Sequence, residues 1–230
     1  MGSREASLHL RCEDRGTLLP KLKTLLDDPS FWREETEDLL GLLGQVFEQQ
    51  VPQLDETKQR AGKALLDNLR TGLDDWEQRE DPAIVVVRPH FVSLYWYDHI
   101  RSENLEEQAW NFGRRCRVPV LGVCRFDICD LQLCGVRNAG CPEAVTCRGD
   151  YYFNEHDIQP VDAGELCRIL EAPFLQEGLA AALACSDGEG MAQMLEKALK
   201  MPIYLNERML SAEGKRPTEC WRKTLVYVET

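Results

Sequence analysis

Ile84-Val85-Val86-Val87-Arg88-Pro89-His90-Phe91-Val92-Ser93-Leu94-Tyr95-Trp96-Tyr97 is the stretch that decides the fold class. Two runs of β-branched and aromatic residues flank a Pro-His break, a pattern that predicts a β-hairpin. With Arg88 opposite Phe91, Val85, Val87, Val92, Leu94 and Trp96 share one face. Ile84, Val86, Phe91, Ser93, Tyr95 and Tyr97 share the other. Both faces are apolar, so the hairpin is expected to be covered on both sides.

Toward the C-terminus the β character continues to Arg148. Asn104 to Cys116 reads as a helix, with Asn104 and Glu107 as a capping pair and Leu105, Ala109, Phe112 and Cys116 as its buried stripe. Val118 to Phe126 and Cys129 to Val136 read as a second hairpin turning at Asp127-Ile128. With Phe126 opposite Cys129, Cys124 would share a face with Leu131 and Leu133, and Arg125 would face Asp130 as an ion pair. Asn138-Ala139-Gly140 is a turn, and Ala144 to Cys147 a further strand. Later segments read as helices begun by Asp162, by Pro173 and by Ser186 to Glu189, the last burying Met191, Met194, Leu195, Ala198 and Leu199. Ile203-Tyr204-Leu205 reads as a short edge strand, Ser211 to Arg216 as a loop, and Thr224 to Val228 as a last strand.

Toward the N-terminus the pattern changes at Arg79-Glu80-Asp81-Pro82. Helical spacing of leucines predicts helices from Thr17 to about Asp27, from Phe31 to Gln50 and from Asp55 to Gln78. Residues 1–81 are therefore expected to be a mainly helical region with a first strand at 7–11, and residues 82–230 an α+β sheet domain. The class is α+β, with an antiparallel or mixed sheet, a helical N-terminal insertion and C-terminal helices. The order strand, helix, strand, strand, helix, strand is that of a ferredoxin-like βαββαβ core.

Composition narrows the function. The 27 lysines and arginines stand against 39 acidic residues, a net charge of −12, which argues against nucleic acid and against an anionic membrane surface. The start of the chain has no apolar core of a signal peptide, and no run approaches the roughly 18 apolar residues of a membrane span. A cytoplasmic location is expected, and there the ten cysteines are thiols rather than a disulfide framework. None stands in C-x-x-C spacing, so no metal and no cofactor is expected.

The thiol candidates for catalysis are Cys147 with His156, and Cys141, which precedes Pro142. The binding candidates are Tyr95 and Tyr97 on the first hairpin and Arg125, Asp127 and Asp130 around the tip of the second. Phosphate-loop, dinucleotide, nucleophile-elbow and zinc-protease motifs are all missing. The expected function is a non-catalytic binding or regulatory module with another protein as partner. The alternative is a cysteine-dependent enzyme or thiol redox sensor.

Three short motifs carry a resemblance. They are Ser93-Leu94-Tyr95 leading into Glu103-Asn104, Val118-Pro119-Val120-Leu121 before Phe126-Asp127, and a late amphipathic helix ending in Met201-Pro202-Ile203-Tyr204. On these, residues 92–205 resemble an uncharacterised family of small cytoplasmic proteins from clostridia and related bacteria. Members are acidic at the hairpin turn, where this chain has Ile128 and Cys129. The resemblance implies a bacterial, cytoplasmic setting and no particular activity.

Overall fold

A computed structural model describes residues 4–28, 64, 82–96, 100, 104–126, 130–139, 141–149, 162–185, 188–221 and 224–228. The helices expected over 31–50 and 55–78 lie outside this set, apart from Ala64, which is helical. The chain forms two compact units, Met1–Lys23 with Pro82–Thr230, and Thr24–Asp81. One boundary falls at the expected change of pattern. The other falls at 23/24, because the first strand is built into the middle of the sheet.

In chain order the elements are β1 (Arg4–Arg11), α1 (Arg15–Asp27), β2 (Ala83–Val87), β3 (Phe91–Tyr95), α2 (Leu105–Cys116), β4 (Val120–Phe126), β5 (Asp130–Ala139) and β6 (Cys141–Gly149). Then come α3 (Ala163–Ile169), a 3-10 turn (Pro173–Leu175), α4 (Gln176–Leu183), α5 (Gly188–Leu199), α6 (Glu207–Ala212), β7 (Glu219–Trp221) and β8 (Thr224–Val228). The strands form one mixed sheet in the order β6-β5-β4-β1-β3-β2-β8-β7. Only the β2–β8 pair is parallel. The fold is α+β, as the hairpin pattern implies.

The first hairpin has the expected register, with Val85 opposite Leu94 and Ile84 opposite Tyr95. Each residue of β2 and β3 is buried, because helices cover both sides. On one face Leu105 of α2 packs over Gly122, where an added Cβ would meet the leucine Cγ at 3.0 Å. Lys23 of α1 stands 5.9 Å from the ring of Trp221 on that same face. On the other face Phe91, Leu121, Val123, Leu131 and Leu133 pack against α3, α4 and α5. Ile84, Val86, Tyr95 and Tyr227 meet Leu210 of α6 there. Each leucine or phenylalanine so buried contributes roughly 1.5–3 kcal/mol.

The second hairpin departs from expectation by one residue. Phe126 pairs with Asp130 and Arg125 with Leu131, so the connection holds three residues rather than two. A slip of one moves every side chain of a strand to the opposite face. Leu131 and Leu133 therefore lie with Leu121 and Val123, whereas Cys124 lies with Gln132 and Cys134. Arg125 does not face Asp130; it pairs with Glu189 at the start of α5.

Smaller corrections have local causes. α1 begins at Arg15 rather than at Thr17, capped by Asp14, which accepts from the Gly16 amide at 2.9 Å and the Thr17 hydroxyl at 2.5 Å. Asn104 precedes α2 but makes no side-chain cap. Met194 and Ala198 of α5 are only half-buried. Residues 203–205 form no strand, since β8 and β7 already extend that side of the sheet; the Ile203 amide donates to Glu196 Oε1 at 2.9 Å. The segment from Ser211 begins as the end of α6.

Candidate binding cleft

At one end of the sheet β1 leaves for α1 and α2 returns the chain into β4. The two turns are tied together: the Arg11 amide donates to the Pro119 carbonyl at 2.8 Å and the Cys12 amide to the His90 carbonyl at 2.9 Å. Beside them opens a cleft of about 240 Å³. Cys12 and Leu18 supply apolar wall, with Cys116 from the end of α2. Arg11, Lys21 and Arg117 bring cations to it; Glu13, Asp14 and Glu171 bring carboxylates.

Local sequence explains each position. The stripe Leu105, Ala109, Phe112 and Cys116 buries one side of α2, while Glu106 and Glu107 in its first turn and Arg114 and Arg115 in its last complement the helix dipole. The helix ends on Arg117, whose backbone is left-handed at φ 60°, and the Val118 amide closes on the Gly113 carbonyl at 3.2 Å. Lys21 follows two turns into α1 and donates to the Cys116 carbonyl at 3.2 Å. Glu171 enters from the opposite face of the sheet at the end of α3, also left-handed at φ 52°.

The carboxylates are all engaged. Asp14 caps α1, and its bonds from Thr17 and Gly16 hold its carboxyl below the usual range. Glu13 pairs with Arg11 at 3.5 Å, and Glu171 with Arg137 at 3.0 Å. Arg11 is itself locked, donating to the carbonyls of Cys12 and His90 at 3.1 Å each. Its guanidinium carbon lies 5.2 Å from the ring centre of Phe174, which is 51 % exposed and stacks on His90 at 4.7 Å.

The thiols in the cleft wall are weak nucleophiles. Burial raises the Cys12 thiol above its ordinary value despite nearby Arg15 and Arg11. Burial pushes Cys116 up to about 11, only partly opposed by Lys21. Cys167, at α3, is likewise raised by burial and then by Asp162.

A second polar cluster lies in the middle of the sheet, sealed from solvent. Ser7, His9 and Ser93 are wholly buried. Ser93 donates to Met201 Sδ at 2.6 Å, so its oxygen accepts from His9 Nδ1 at 2.6 Å. His9 Nε2 then accepts from the Ser7 hydroxyl at 3.1 Å. Burial lowers the His9 pKa to about 3. Serine and histidine at hydrogen-bond distance resemble a nucleophile and its base, but a substrate has no route to them; their chemistry here is to satisfy one another.

Of the residues singled out by sequence, Tyr95 is buried beside His9 and donates to the Pro202 carbonyl at 2.6 Å. Arg125 is held by Glu189. The backbones of Asp130, Cys141 and Cys147 lie at strand positions opposite Phe126, Ala139 and Leu133; their side chains, and Tyr97, Asp127 and His156, lie outside the described residues. Tyr95 and Arg125 each have their own partner and form no common site. Sequence reasoning missed the cleft, although the basic run Arg114-Arg115-Cys116-Arg117 has the charge of a helix end. It is one, and its last member also faces the cleft.

Among the described residues no three His, Cys, Asp or Glu side chains group to hold a metal ion, and no helix is long and apolar enough to cross a membrane. No protein-family model matches the chain, and no curated protein or solved structure matches it significantly.

Proposed function

We propose that this protein is a non-catalytic binding or regulatory module and that the cleft beside the β1–α1 and α2–β4 turns is its binding site. One observation carries the reading: the open concavity is built from charged side chains, while the thiols in its wall are buried with raised pKa values. A nucleophilic cysteine needs the opposite, exposure and a lowered pKa. We extend the reading to a cytoplasmic setting and, at a surface outside the cleft, to another protein as partner, supported by the net charge of −12 and the free thiols. The resemblance to the uncharacterised clostridial family names no activity and does not bear on the choice.

The alternative, a cysteine-dependent enzyme or redox sensor, draws on Cys12 beside Arg11 and Arg15 and on the sequence pairing of Cys147 with His156. Alkylation of the native protein at pH 7, read cysteine by cysteine by mass spectrometry, separates the two. Exposed Cys220 is expected to react like a free thiol. Cys12, Cys116, Cys124, Cys134 and Cys167 are expected to react only on unfolding. Any cysteine reacting faster than free thiol, Cys141 and Cys147 included, would favour the enzyme.

A further inference from the structure

We infer that the cleft takes a small doubly charged oxyanion, with Lys21 and Arg117 as its counter-charges. The inference rests on the binding-module reading and names its ligand class. The argument is one of charge matching. Three cations and three carboxylates line the cleft. Each carboxylate is already answered: Glu13 by Arg11, Asp14 by the first turn of α1, and Glu171 by Arg137, which comes from outside the lining. Arg11 spends its donors on main-chain carbonyls. Lys21 and Arg117 remain, and among the described residues neither has a carboxylate partner.

Lys21 also reaches the backbone at the start of Arg117. Lys21 Nζ donates to the carbonyl of Cys116, the peptide group whose nitrogen belongs to Arg117. The chain carries a net charge of −12, yet this cleft keeps two cations that no carboxylate of its lining answers. Cations in a concave site with apolar walls focus field and attract a complementary anion. A cleft of about 240 Å³ admits a small metabolite rather than a chain segment, and the surrounding negative charge repels a polyanion. The N-terminus of α1 is not part of the site, since Asp14 occupies it.

The test is amide chemical-shift titration of the full chain with inorganic phosphate and, separately, succinate, at constant ionic strength set by potassium chloride. Saturable shifts are expected at Cys12, Leu18 and Lys21 and at Cys116 to Val118. Response to phosphate alone identifies a phosphate group as the natural headgroup, response to succinate alone a carboxylate; either supports the site. The deciding variant is Arg117→Gly. Glycine suits the left-handed backbone at this position, so the variant should melt no lower than the parent while binding the anion about tenfold more weakly. Lys21→Gln should weaken binding similarly. Absence of shifts with both probes, shifts that map elsewhere, or an affinity unchanged from the parent in both variants overturns the inference. In those cases a normal alkylation pattern still leaves the binding-module reading standing, so the two failures are distinct.

Discussion

His9 shows what a single residue contributes when the fold closes over it. Its ring is flanked by Ser7 and Ser93 and by Tyr95 edge-on at 6.2 Å between centroids. A buried imidazole with both nitrogens bonded is stable only while neutral. The folded pKa is about 3, whereas an unfolded histidine sits near 6.5. Stability from this group is therefore complete above about pH 6.5 and falls as the pH drops toward 3, because the unfolded chain takes a proton that the folded one refuses. We expect roughly 3 kcal/mol of unfolding free energy to be lost through His9 between pH 7 and pH 4. Urea unfolding across that range, compared with His9→Gln, isolates the contribution; parallel curves for the two proteins would remove it. The alternation of β3 puts Ser93 and Tyr95 on one face, and that much is legible in sequence. Their partner His9 lies 84 positions from Ser93, so no local pattern announces the network.

At the scale of elements, contact distance decides outcomes that propensity alone would reverse. Gly178 in α4 is a position where alanine would gain about 1 kcal/mol of helix propensity. An added Cβ, however, would stand 2.5 Å from the Cβ of Ala198 on α5 and 3.3 Å from its Cα. Neither can rotate away, so the helices must separate. Gly178→Ala is expected to destabilise by roughly 1–2 kcal/mol, seen as a lower melting temperature; a gain would mean the two helices do not approach so closely. Lys200 offers the converse. It follows α5 with φ 55°, and the Met201 amide donates to the Glu196 carbonyl at 3.1 Å to close the helix. Exposed Lys200→Gly should stabilise by roughly 0.5–1 kcal/mol, measurable as a higher urea midpoint with an unchanged slope.

For the sheet as a whole, position in the strand order sets how each strand opens. β1, β3 and β4 are central, with neighbours on both sides, whereas β6 and β7 are the edges. Amide exchange in Leu8, Leu10, Val92, Leu94 and Leu121 should therefore require global unfolding, while edge amides exchange through smaller openings. Protection as low in β1 as in β7 would contradict the order. The central place of the first strand is not apparent from its own alternation. Leu8 and Leu10 are fully buried, yet they alternate with Ser7, His9 and Arg11, which reads as a half-exposed strand. Ser7 and His9 in fact face inward, bonded to each other and, through His9, to Ser93 of β3.

By itself the sequence determined the α+β class, the first hairpin with both its faces, the buried stripe of α2 and the strand at 224–228. These rest on short-range periodicity, and a two- or 3.6-residue repeat survives without knowledge of the rest of the chain. Tertiary structure alone decided three things. The register of β4 against β5 depended on it, because both faces are apolar and the pattern cannot choose between neighbouring pairings. The parallel placement of β8 against β2 depended on it, since no local signal links residues so far apart. The cleft depended on it most, because Lys21 reaches the Cys116 carbonyl, next to Arg117, only when β1 pairs with β4 and draws the end of α2 against α1.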